Sequence, residues 1–135
     1  MDANEIKSGL AGFYGTEGYH RFSWLYPRLL LTDGAKWLSE VAGAYWLMDA
    51  IGSHQPKAMK DEKGMLQNMQ FWSLKKCKSN EKTGRSSAHL ICERDTDDVA
   101  IRQLIEYTDF PLDEIKLYVV ADGNGNMIVM LPSEY

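Results

Sequence analysis

The chain has 135 residues and a mass of 15.4 kDa, with 44% apolar and 25% charged side chains; that fills one core and excludes a disordered tail, a collagen-like repeat and a low-complexity linker. Net charge is −4 but uneven: residues 57–94 carry nine Lys/Arg against four Asp/Glu, and residues 95–135 carry two against nine. The acidic start Met1-Asp2-Ala3-Asn4-Glu5 is unlike a secretory signal, no stretch approaches the roughly 20 apolar residues of a membrane-spanning helix, and Cys77 and Cys92 read as ordinary thiols, so a cytoplasmic protein with no membrane contact is expected.

Ile6, Leu10 and Phe13 recur at helical spacing and predict a short amino-terminal helix, weakened by Gly9 and Gly12. Between Tyr19 and Leu31 aromatic and polar residues alternate and Pro27 interrupts, which predicts two short strands around a bend. Trp37, Val41, Ala44, Tyr45, Met48 and Ile51 then line one face of a single helix from about Asp33 to Ile51, capped by Thr32 or Asp33, with Gly43 tolerated for a close approach to a sheet. Residues 54–64 read as a loop with room for a helical turn.

From Met65 the pattern changes to strands. Residues 69–78 and 88–93 predict a hairpin with a mobile tip at 80–86, and 99–107 fits a strand better than a helix. Residues 115–121 and 127–131 flank Asp122-Gly123-Asn124-Gly125-Asn126, a turn whose residues tolerate positive φ. Short connections imply antiparallel neighbours. The expectation is therefore one α+β domain over 1–135, a single antiparallel sheet of five to seven short strands packed on one long central helix, preceded by a short helix.

No group of residues has the pattern of an active site, a cofactor site or a metal site. Asp122, Asn124 and Asn126 stand where an EF-hand loop has its first ligands, but Met127 and Ser133 occupy the positions that need glycine and glutamate. Cys77, His89 and Cys92 would approach one another across the 69–93 hairpin without Cys-x-x-Cys spacing, so small side chains of the core are the better reading. Asp33 and Asp109 each follow a threonine at the end of an apolar stretch; at one sheet edge they would form a carboxylate pair for hydrolysis, and otherwise they cap local structure. Trp72, Lys75, Lys76, Lys78, Lys82 and Arg85 interleave an aromatic with cations over 72–85, the ingredients of a single-stranded nucleic-acid surface, against which the acidic whole argues. Tyr14, Tyr19, Phe22, Trp24 and Tyr26 are read as core in preference to a partner-binding patch.

Five blocks carry a resemblance: Phe13-Tyr14-Gly15-Thr16-Glu17, Leu31-Thr32-Asp33-Gly34, Ala42-Gly43-Ala44-Tyr45-Trp46-Leu47, Tyr107-Thr108-Asp109-Phe110-Pro111 and Leu131-Pro132-Ser133-Glu134-Tyr135. Together they resemble a family of small bacterial proteins of unknown function found on chromosomes, phages and plasmids. The resemblance transfers no catalytic, cofactor or metal residue. It implies a cytosolic bacterial or phage setting and, by analogy, an accessory protein that inhibits or regulates a partner protein, alone or as a homodimer.

Overall fold

Asp2 opens the first helix, α1 (Ala3–Leu10), by accepting a 2.8 Å bond from the Glu5 N–H. In this computed structural model, which describes residues 1–77 and 86–135, there follow β1 (Tyr19–Arg21), β2 (Leu29–Thr32), α2 (Asp33–Val41), α3 (Tyr45–Ser53) and the short α4 (Gln55–Ala58). The remaining elements are β3 (Met69–Lys76), β4 (Ser86–Asp95), β5 (Asp98–Thr108), β6 (Glu114–Ala121), β7 (Met127–Met130) and a 3₁₀ turn at Pro132–Glu134. The described residues form one seven-stranded sheet in the order β1-β2-β7-β6-β3-β4-β5.

Two expectations are corrected here. The single helix from Asp33 to Ile51 is two helices of nine residues each. Thr32 caps the first, its hydroxyl accepting the Ala35 N–H at 3.2 Å. That helix ends because Gly43 takes a left-handed conformation (φ +57°) and the Ala44 N–H returns to the Ser39 carbonyl at 2.9 Å, a Schellman closure. The apolar period runs unbroken through the stop, since Leu38 of α2 and Met48 and Ile51 of α3 all enter the same core. Nor is the sheet wholly antiparallel: β2 lies parallel to β7, with Leu29 facing Met127 and Leu31 facing Val129. Short connections dictate antiparallel pairing only between sequence neighbours, and these two strands are separated by most of the chain.

The strand reading of 99–107 holds as β5, and the Asp122–Asn126 turn joins β6 to β7 as expected. Alternation sorts the sheet into two faces. Trp72, Leu74, Leu90, Cys92, Leu117, Val119 and Val129 are buried and share one core with the helices. Trp72 is only 2% exposed, and its indole N–H donates to Gln70 Oε1 at 2.8 Å. Gln70 is itself buried and pairs with Gln55 of α4 through two amide bonds of 2.9 and 3.0 Å, so both amides are satisfied. Phe71 and Tyr118 point to the opposite face and meet edge-on, their ring centroids 5.2 Å apart.

Candidate functional site

The amino end of α2 gathers three of the blocks singled out in the sequence. Thr32 donates its hydroxyl to Glu134 Oε1 at 2.6 Å, the Leu131 N–H donates to the same oxygen at 3.0 Å, and the Gly34 N–H donates to Oε2 at 3.0 Å. A Cβ at Gly34 would sit 2.5 Å from Glu134 Oε1 and 2.6 Å from Leu131 Cδ1, so any larger residue would displace those side chains. On the other side of the helix start, Thr16 accepts the Asp33 N–H at 2.9 Å while Asp33 accepts the Glu17 N–H at 2.9 Å and meets His20 Nε2 at 2.7 Å. The His20 hydrogen bond, then the Glu17 N–H, holds the Asp33 carboxyl below the usual carboxylate range. Two carboxylates at a helix amino end are favourable against its partial positive charge. The Thr16, Thr32, Asp33 and Glu134 side chains are all used in tying the β1 approach, α2 and the Pro132–Glu134 turn together. Its chemistry is that of a clasp.

Beyond the clasp, the connection from β1 to β2 forms an ordered turn. The Tyr26 N–H donates to the Ser23 carbonyl at 3.1 Å, the Leu25 N–H to Ser23 Oγ at 3.1 Å, and the Leu29 N–H to the Tyr26 carbonyl at 3.0 Å. Trp24 and Leu25 are the two central residues and point outward, 82% and 57% exposed. Beneath them Phe22 stacks on Tyr26 and on Tyr45 of α3, with centroids 6.5 and 6.4 Å apart, and the Tyr26 ring lies on Gly52. Burial, then the neighbouring Asp49 charge, pushes the Tyr26 hydroxyl above its ordinary range. Beside the turn lies an apolar cavity of about 280 Å³ walled by Tyr26, Pro27, Leu29, Pro56, Met59 and Met127, with Arg28 at its lip. The core reading of the amino-terminal aromatics thus holds for Phe22 and Tyr26 and fails for Tyr14, Tyr19 and Trp24, which are exposed. Ser23 and Pro27, both turn formers, signal the turn but not which of its aromatics face outward.

The carboxylate and cysteine candidates come apart. Asp33 and Asp109 do lie at the same end of the sheet, but β2 and β5 are separated by five strand spacings, roughly 24 Å. No carboxylate pair forms, and Asp33 is engaged with His20. Cys77 does not face Cys92: Trp72 stands opposite Cys92, whereas the Cys77 N–H donates to Ser87. Burial pushes the Cys92 thiol up to about 12, which keeps it protonated, and His89 projects from the other face of β4. Among the described residues no group of three or more His, Cys, Asp or Glu side chains is placed to hold a metal ion. Of the 72–85 stretch, Trp72 is in the core and so not on a base-stacking surface, Lys76 is held by the Phe110 carbonyl at 2.9 Å, and Lys78, Lys82 and Arg85 fall outside the described residues. The Asp122 carboxylate accepts the N–H groups of Asn124 and Asn126 at 2.7 and 3.0 Å, completing a turn in place of a calcium loop.

A mixed α/β domain with a helix-backed sheet and an ordered aromatic turn is the class these features define. The chain belongs to the family of unknown function DUF6876, whose profile matches residues 4–135. No curated protein and no solved structure matches it. No helix among the described residues is long and apolar enough to cross a membrane.

Proposed function

We propose that this protein is a non-enzymatic interaction module of the cytoplasm, an accessory protein of bacterial, phage or plasmid origin that inhibits or regulates a partner protein by binding it through the aromatic turn of residues 22–28. One observation carries the reading: an indole 82% exposed beside a leucine 57% exposed, on a turn closed by backbone hydrogen bonds and backed by stacked rings. Tryptophan contributes most to binding when it enters a partner's pocket already ordered, because little conformational entropy is then lost on association. The adjoining 280 Å³ apolar cavity would receive a leucine-sized side chain in return, with Arg28 at its lip favouring a carboxylate nearby on the partner.

Affinity capture from a bacterial lysate tests this. A partner retained by the native protein should be lost with Trp24→Ala at unchanged melting temperature, the weakening being at least about tenfold for a truncated anchor. Equal recovery on both baits would refute the assignment.

A further inference from the structure

The sheet ends in β5, an edge strand of 11 residues paired on one side with β4. Register shifts fall on either side of Ile101–Ile105, leaving those five residues in regular pairing with Cys92–Ala88. Their outward backbone groups meet no backbone partner among the described residues. A free, straight edge of this kind is a template for another strand unless charge, proline or a bulge prevents it. Here the bulges flank the straight stretch, and the charges match.

Alternation fixes the side chains. Ile101 is buried under the helices and Gln103 meets His54 at the end of α3 at 2.6 Å, so Arg102 and Leu104 point to the opposite face, where Leu104 is 54% exposed. Arg102 and Glu106 are exposed and make no ion pair with any described residue. Arginine and glutamate therefore stand two residues either side of an exposed leucine. When two such strands pair antiparallel about a twofold axis normal to the sheet, like faces stay together and one residue must face its own copy. An axis at Arg102 would set guanidinium against guanidinium. An axis at Leu104 brings each Arg102 to the other copy's Glu106, the first residue past the straight stretch, with the two leucines in contact between the ion pairs.

We propose that β5 pairs antiparallel with β5 of a second copy about a twofold axis at Leu104, joining two sheets edge to edge through two Arg102–Glu106 pairs. The contact is at the opposite edge of the sheet from the β1–β2 turn and does not depend on the protein-binding reading of that turn.

Sedimentation across a concentration series tests it. The native chain should show a monomer–dimer equilibrium that weakens with added salt. Arg102→Glu and Glu106→Arg should each raise the dissociation constant about tenfold, because each places like charges across the axis twice. Combining them should restore dimerisation, a rescue that general damage to the fold cannot produce. Trp24→Ala should leave the equilibrium unchanged. A monomer at every concentration, single variants that dimerise like the native chain, a double variant no better than the singles, or loss of the dimer in Trp24→Ala would each overturn the proposal.

Discussion

Glu134 accepts three donors from three places: a hydroxyl at the end of β2, an N–H in the first turn of α2 and an N–H of its own turn. Removing an acceptor that serves several partly buried donors leaves each of them searching for water. Glu134→Ala should therefore lose on the order of 2 kcal/mol in urea unfolding, and Glu134→Gln, which keeps the oxygen, should lose less. Asp61 is a second such residue. Its side chain is 1% exposed and binds Arg94 Nε at 2.9 Å and the Met65 and Leu66 N–H groups at 3.2 and 3.1 Å. Burial acts to raise its pKa, but the Leu66 N–H, Arg94 and the Met65 N–H together outweigh it and hold the carboxyl below its ordinary 3.8. Asp33 and Asp122 are shifted in the same direction. A depressed pKa means the folded chain binds fewer protons than the unfolded one, so this stabilisation is complete above pH 3.8 and is lost as pH falls through the depressed values. The melting temperature should hold level through neutral pH and drop steeply below that point, and Asp61→Asn should lower it at neutral pH while making the acid limb shallower.

At the scale of elements, the stop between α2 and α3 depends on one backbone conformation. Gly43→Ala should destabilise by about 1 to 2 kcal/mol, the penalty of a left-handed alanine, whereas Gly43→Asn should be milder. An alanine variant as stable as the native chain would mean that the two helices can fuse. The same glycine explains where reading the sequence stopped short. Strand positions, the Thr32 cap and the β6–β7 turn were legible because alternation, capping and Asn/Gly turns are local signals. The helix break was not, since Trp37, Val41, Ala44, Met48 and Ile51 keep helical spacing across it and Gly43 reads equally as a close approach or a stop. The parallel β2–β7 pair was illegible for a different reason: no local pattern links Leu29–Leu31 to Met127–Val129 across most of the chain. The Trp24 turn was visible as aromatics with turn residues around them, but whether they faced in or out depended on Tyr26 finding Gly52, a contact between distant segments.

For the whole molecule, two sets of contacts hold the amino-terminal segments to the helices. The clasp at α2 locks the β1 approach and the Pro132–Glu134 turn to the helix, and the stacked Phe22, Tyr26 and Tyr45 rings seat the aromatic turn on α3. The strand order keeps Asp33 and Asp109 apart, and Cys92 is buried, in line with the reading of that cysteine as a small core side chain. Among the exposed apolar groups, the Trp24 turn with the cavity beside it is the one the proposed partner binding uses, and Leu104 stands exposed at the opposite sheet edge. The most direct measurement is capture of a partner on immobilised native protein compared with the Trp24→Ala and Leu25→Ala variants, each first shown to melt at the native temperature. The account predicts a protein bound stoichiometrically by the native chain and released by either substitution; a partner held equally by all three, or none held by the native chain, would contradict it.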